Sequence, residues 1–493
     1  MTGFQVVILW SDALIWLLVA AGVGLGLLIA KSPPLLAAWR RVGANRVGMA
    51  SATVLLAFIL IGLLDSLHYR VQLEGKPGQK AIYAVEVLSV LDALLAPLRT
   101  RNEKTYSEPF ATRLYAKETI DLPGGETVRD FPRLKHGGAH LGEREDEVVA
   151  DAGFTAFRVS VLALLGWLAL AVVAAAAVER GNALPHGPTR PPRGDFLRDA
   201  IMKAIAGPRV DAAGWQKIWR GETAFAWNAV LIMLGIMLLV GVPLFWLSAQ
   251  YHVFGTDKVG QDVLYQVLKS VRTGLIIGLV TTLVMLPMAV LLGIVAGYFR
   301  GWVDDVIQYI YTVLSSIPGV LLIAAAVLMM QVVIDSNPQW FSTAAERADL
   351  RLLALCFILG ITSWTGLCRL LRGETLKLRE LEYIQAAQAF GVSNWRIVVR
   401  HILPNLMHIV IIALVMDFSG LVLAEAVLSY VGIGVDPTMI SFGTMINSAR
   451  MELGREPVVW WSLAAAFSAM FILVLAANLF ADAVRDAFDP RAA

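Results

Sequence analysis

Nine stretches of this chain are long and apolar enough to cross a bilayer, which removes most folds from consideration. A hydrocarbon core about 30 Å thick takes about 20 mostly apolar helical residues. The stretches lie at about 6–30, 47–65, 157–178, 224–248, 272–297, 306–334, 350–370, 406–433 and 459–482. None alternates as a strand would, and a backbone in lipid must satisfy its own polar groups, so each is predicted to be a helix. Charged residues make up only 16% of the chain, where soluble domains carry roughly a quarter. The expected class is an all-α polytopic membrane protein. A net charge of +2 gives no reason to expect nucleic acid. Cys356 and Cys368 fall within one apolar run and read as small buried hydrophobes, not a disulfide. The start, MTGFQVVILWSDALIWLL, lacks a basic leader and a small-residue cleavage site, so a retained first span is expected.

Basic residues in short loops set orientation. Lys31, Arg40, Arg41 and Arg46 follow the first span. A second group, from Arg180 to Arg220, precedes the fourth. Arg372, Lys377, Arg379, Arg396 and Arg400 lie between the seventh and eighth. With nine spans, all three groups fall on one side. That side should be the cytoplasm, with the N-terminus outside and the C-terminus inside. The polar insertion at about 66–156 is then extracytoplasmic, and it holds a helical-looking piece, AIYAVEVLSVLDALLAPL. Residues 181–194, GNALPHGPTRPPRG, read as a Gly/Pro linker. The expected organisation is an extension with three spans (1–180), a cytoplasmic linker (181–223) and a six-span core (224–491).

Between the seventh and eighth spans lies EYIQAAQAFGVSNWRIVVRHILPN, Glu382 to Asn405. The first part favours helix and is rich in small residues. Gly391 falls where a helix ends with positive φ. Ser393 or Asn394 is placed to cap a second, basic helix, and Pro404 marks the transition to the next span. On residue types alone, an ordinary headgroup-anchored loop is the favoured reading of the stretch over a docking site.

Gln385-Ala386-Ala387, three residues, Gly391, then Leu403-Pro404 resembles the EAA loop of ABC importer permeases. Gln385 stands where the family has glutamate, and His401 where it has isoleucine. The segments HVFGTDKVGQDVLYQVLKSVRTGL (252–274, with Gln261 at an arginine position), GIVAGYFRGWVDDVIQYIYTVLSSIPGVLL (293–322), EAVLSYVGIGVDPTMISFGTMINSAR (425–450) and NLFADAVRDAFDPR (478–491) resemble dipeptide/oligopeptide-type permeases in order and spacing. The resemblance covers about residues 224–491. It implies a six-helix core in a bacterial inner membrane, one of two paired permeases, with two cytosolic ATP-binding subunits and an extracytoplasmic substrate-binding protein delivering peptide. It places Gln385, Ala386, Ala387, Gly391, Arg396, Arg400 and Pro404 at the ATPase contact. ATP and Mg would sit on the partner subunits, and no cofactor is expected on this chain.

The rest of the chain fits that division of labour. It has no G-x-x-x-x-G-K-[ST] phosphate loop, no H-E-x-x-H and no G-x-S-x-G. No catalytic residues are therefore assigned. His136 and His140 in HGGAH are four apart, but two glycines weaken a helix that would align them, so no metal site is assigned. Charges within spans are functional suspects. Asp417 and Glu425 lie about two turns apart on one span, able to line a translocation path or to satisfy neighbouring helices; Glu425 suits the second role better. Asp257 and Asp262 of FGTD could face the binding protein, or cap a helix whose apolar set (Val263, Leu264, Val267, Leu268, Val271) suggests an amphipathic segment on the outer surface. Other readings are a membrane scaffold or receptor using segment 66–156, or a permease for nickel or another small solute.

Overall fold

The computed structural model describes residues 3–73, 82–121, 127–142, 144–182, 212–221, 223–341 and 343–488. Nine membrane-length helices are present among them. The first part of the chain contributes α1 (Trp10–Lys31), α2 (Pro33–Ala44) and α3 (Arg46–Asp65), then two short helices, α4 (Val90–Leu94) and α5 (Ala96–Thr100), and the long α6 (Val148–Asn182). A short α7 (Ala212–Arg220) precedes α8 (Trp227–Leu247), α9 (Val263–Phe299), α10 (Trp302–Ser316) and α11 (Gly319–Ser336). Then come α12 (Ala344–Ser363), α13 (Thr365–Arg379), α14 (Glu382–Ala389) and α15 (Asn394–Ile397). The chain closes with α16 (Leu403–Val431), α17 (Phe442–Glu452) and α18 (Trp461–Phe488). Most of the expected 181–223 linker, residues 183–211, lies outside the described residues.

Three local expectations are corrected. The stretch 306–334 is not one helix. It breaks at Ile317 and Pro318 into α10 and α11, because proline disfavours helical backbone in the residue before it. The apolar set 263–271 does not lie along a surface. It forms the first turns of α9, with Val263, Leu264, Val267 and Val271 all buried. The piece 81–98 is only partly helical: Tyr83 bridges to Gln72, and Leu88–Ser89 is a strand. Ser89 then caps α4 by accepting from the Asp92 N–H at 3.1 Å. The strands among the described residues lie at this end of the molecule: β1 (Phe4–Val7), from before the first span, pairs with β2 (His68–Val71) and β3 (Leu88–Ser89) of the insertion in one antiparallel sheet, and β4 (Glu118–Asp121) with β5 (Thr127–Asp130), also of the insertion, form another.

The extension packs into the core. A Cβ at Gly48 of α3 would come within 2.6 Å of the Ala483 Cβ of α18, so that crossing is closer than any side chain permits. Trp167 of α6 donates from its indole N–H to the Leu231 carbonyl of α8 at 2.7 Å, which satisfies both groups within an apolar interface. The helix ends define two faces. Where α9 begins, the inserted segment gathers around His252. Where α9 ends, Tyr298 meets the loop holding Gly391. The short α2 reaches this second face too, with Trp39 edge-on to Phe488 at the end of α18. The insertion and the basic loops therefore occupy opposite ends of the bundle.

Candidate functional site

The stretch around Gly391 is built on a small apolar base. Ile384, Ile397 and Ile402 are fully buried beneath it. α14 ends in a Schellman arrangement: the Val392 N–H reaches the Ala387 carbonyl at 3.1 Å and the Gly391 N–H reaches that of Gln388 at 3.0 Å. Gly391 has φ +75°, which glycine adopts without steric cost. Tyr298 of α9 fixes the turn from below. Its hydroxyl donates to Asn394 Oδ1 at 2.9 Å and accepts from Gln388 Nε2 at 3.3 Å. Ser393 holds the cap position of α15, but no side chain caps it; the Asn394 oxygen is taken by Tyr298 instead.

What remains uncovered is a compact face. Gln385, Ala386, Ala389 and Arg396 are exposed, Arg400 and Pro404 continue the exposed edge, and Ala387 is half-buried. Two aromatics stand out of it: Phe390 is 87% and Trp395 69% exposed. Gln385 turns inward only by a 3.2 Å bond to the Glu380 carbonyl. After α15 the backbone widens into a π-helical turn, Val398–Ile402, that runs directly into α16. Pro404 supplies the cause, having no N–H to donate and a ring that crowds the carbonyl four residues back. Behind the face, Arg372 of α13 grips Asp304 of α10 through two bonds of 2.6 and 2.7 Å. Glycines at 293 and 297 bring α9 against α13, where a Cβ on Gly297 would lie 2.8 Å from the Arg372 carbonyl.

The other sequence candidates are not brought together with this face. Glu425 is buried at the far end of α16. It accepts from Ser429 Oγ at 2.6 Å and Ser441 Oγ at 3.0 Å, and so anchors the start of α17. Asp417 is half-buried in mid-helix. Asp262 is fully buried and caps α9, accepting from the Leu264 N–H at 2.8 Å; it cannot touch a binding protein. Asp257 organises its own loop, accepting from the Val259 and Gln261 N–H groups at 2.9 Å each. His140 is drawn to Asp151 at 3.0 Å, while His136 is held by its backbone N–H to Glu103 at 2.7 Å.

Sequence reading missed how the extension is fastened. Two basic residues of α9 are neutralised by acids of the first hundred residues. Arg272 donates to Asp12 Oδ1 at 2.6 Å and to Ser11 Oγ at 2.8 Å, and His68 Nδ1 sits 2.7 Å from the other Asp12 oxygen. Lys269 donates to Asp65 at 2.6 Å and Asp92 at 3.1 Å. The Tyr265 hydroxyl completes Asp92 at 2.8 Å.

A third junction joins the insertion to the core. His252 lies between Asp262, at 2.8 Å from Nδ1, and Glu103, at 3.4 Å from Nε2. Burial alone would lower the His252 pKa, but Asp262 and Glu103 outweigh it and push it up to about 9. Burial likewise works against Glu103, but His252 and the N–H groups of Lys135, His136 and Gly137 bring it down to about 2. The stabilisation from a raised histidine is complete below its unfolded pKa and is lost as pH rises through 9. That from a lowered glutamate is complete above its unfolded pKa and is lost as pH falls through 2. We expect the thermal midpoint of the purified chain to fall as pH rises from about 6.5 to about 9, and this component of the fall to be absent in His252→Gln. An equal fall in both proteins would remove His252 as the cause.

A bundle of membrane-length helices with an exposed helix–glycine–helix elbow at one end has the form of an importer permease. Residues 289–493 match the family described as binding-protein-dependent transport system inner membrane component. The glutathione transport system permease protein GsiD of Pectobacterium atrosepticum is 31% identical over 302 residues, which cover 56% of this chain and 91% of that protein. The dipeptide permease DppC of Lactococcus lactis subsp. cremoris is 31% identical over 252 residues, 51% of this chain and 66% of that one. The oligopeptide permease OppC of Mycobacterium bovis is 31% identical over 239 residues, covering 48% and 76%. Among solved structures, the MetNI methionine ABC transporter in inward-facing conformations overlaps 46% of this chain at TM-score 0.34 and 18% identity, too loosely to carry structural detail. The chain belongs to the binding-protein-dependent transport system inner membrane component family, and is a permease of the ABC importer type.

Proposed function

We propose that this chain is a translocating permease subunit that moves di- or oligopeptides across the bacterial inner membrane, driven by ATPases on separate subunits. The observation that carries the reading is the exposed elbow, Gln385 to Gly391 with Phe390 and Trp395. Exposed large aromatics beside small and basic residues on one face suit a protein partner. In this reading two cytosolic ATP-binding subunits dock there and hold ATP and Mg. A second permease pairs with this one, and a substrate-binding protein delivers cargo at the opposite face. The N-terminus is outside and the C-terminus is cytoplasmic, since basic loops follow the elbow's side. The peptide class comes from the names of the relatives. Closure of the ATPases would move the elbow and bias the core between two arrangements. Asp417, half-buried at mid-span, is a candidate for the path; Glu425 belongs to the anchoring of α17.

The test is reconstitution. The chain should co-purify with a second permease and ATP-binding subunits, and proteoliposomes of that complex should accumulate labelled dipeptide only with ATP and binding protein. A complex that hydrolyses ATP but accumulates no peptide overturns the reading. Accumulation of nickel or another small solute in its place would assign the cargo differently, and no transport at all would leave a scaffold or receptor role.

A further inference from the structure

A cavity of about 350 Å³ opens at the His252 face, between the inserted segment and the core. Tyr106 comes from the insertion, Asp257 and Lys258 from the loop before α9, Ser448 and Glu452 from α17, and Ser462 from the start of α18. The volume is at the small end of the range for small-molecule sites, about 300–1,000 Å³. Two hydroxyls lining it are more than nine-tenths buried: Tyr106 is 6% and Ser462 9% exposed. Among the described residues Ser462 Oγ has no hydrogen-bond partner, and Tyr106 Oη has only a loose contact with the Glu452 carboxylate beside it. Buried hydroxyls are nearly always matched, and the cavity is the side from which a matching group can come.

The charges are arranged unevenly. The Asp257 carboxylate is already committed, to the Val259 and Gln261 N–H groups and to Gln266 Nε2 at 2.7 Å. Glu452 uses one oxygen on Arg455, at 3.0 Å, and its carboxylate also faces the Tyr106 hydroxyl. Burial and this neighbouring carboxylate raise the Tyr106 phenol pKa, so its hydroxyl stays protonated. Lys258 is exposed at the rim and has no ion pair among the described residues. The lining thus offers carboxylates, hydroxyls and one exposed ammonium group. Met445 and Val459 supply an apolar wall.

We propose that this cavity binds a small zwitterionic peptide, its ammonium at Glu452 and the Tyr106 hydroxyl and its carboxylate at Lys258. The proposal rests on the peptide reading above for its ligand class, and it gives the insertion a part in cargo recognition. Tyr106 packs edge-on to Trp461 at 6.5 Å, so the site forms only where the insertion sits on the core.

The test is equilibrium binding of radiolabelled dialanine to the full-length chain in nanodiscs. Binding should be saturable and weaken about tenfold or more in Glu452→Gln, the usual worth of one charge-assisted hydrogen bond. Tyr106→Phe keeps the ring packing and should weaken it less. Ser448→Trp, at an exposed position on the cavity wall, should abolish it by filling the space. N-acetyl-dialanine, which lacks the ammonium, should compete at least about tenfold more weakly with the unaltered chain. Absence of saturable binding, equal competition by the acetylated peptide, or unchanged affinity in both Glu452→Gln and Ser448→Trp would overturn the site. The two readings fail separately. Dialanine bound in this manner by a complex that transports no peptide leaves the site and removes the function. ATP-driven peptide uptake unaffected by Ser448→Trp, with no binding detected, does the reverse.

Discussion

Gly391→Val should abolish ATP-driven uptake while leaving the chain in the membrane. The residue has φ +75°, a region that costs an L-residue about 1–2 kcal/mol and a β-branched one more. Beyond its chain neighbours, nothing described lies within 4 Å of the position a Cβ would take, so the added Cβ is not blocked by the fold. It projects instead from the uncovered face beside Phe390. The strain acts on the Schellman turn that sets the angle between α14 and α15, and the bulk acts on whatever docks there. Since the buried base of Ile384, Ile397 and Ile402 is untouched, membrane levels should be unchanged. Uptake should fall by about tenfold or more, corresponding to about 1.4 kcal/mol of coupling, and recovery of the ATPase subunits on purification should fall with it. Gly391→Ala, with strain but little bulk, should lose less. Full uptake by the valine variant would remove this face from the coupling path.

The second large effect concerns the fold. Lys269→Met should destabilise the purified chain by about 3–5 kcal/mol, the usual result of breaking a buried ion pair from one side. Lys269 is the cation shared by Asp65 and Asp92, whose side chains are only 3% and 6% exposed. Its removal leaves two carboxylates facing each other in a site with little water. Adding Asp65→Asn to Lys269→Met should recover a substantial part of the loss, because the remaining Asp92 keeps its bonds to Tyr265 and to the Ser89 N–H. Denaturant or thermal unfolding in one detergent measures both. A single variant as stable as the parent would show that the Lys269 cluster does not hold the extension in place.

These two sites differ in how far they could be read from sequence. Gly391 was legible because its signal is local: small helical residues, a glycine and a capping pair, all within ten positions. The nine spans were legible for a similar reason, since lipid demands long apolar runs and tolerates little else. The break at Pro318 was blurred because both flanking helices are apolar, and hydropathy does not register a change of direction. The Lys269 and Arg272 clusters were not legible. Asp65 closes the second span, where a charge near the membrane surface is ordinary, and its partner is 204 residues away. Asp12, Asp65 and Asp92 at similar depth to two bases on α9 was the available clue, but depth becomes comparable only once the helices are placed side by side. Asp262 was read correctly as a possible cap and incorrectly as a possible contact, because burial by the insertion could not be seen from FGTD itself.

The fastening of α9 has a mechanical consequence. Its first three turns are pinned to the extension by Asp12, Asp65 and Asp92, whereas its last turn carries Tyr298 under the elbow. A 37-residue helix is a rod about 55 Å long. Pinned at one end, such a rod has its fulcrum there, and each degree of swing displaces the other end by about 1 Å. If α9 swings as a unit, the acids of the extension make its pinned tip the bearing, and the tip beneath Gly391 would carry α13 with it, since Gly293 and Gly297 hold the two helices in close contact there.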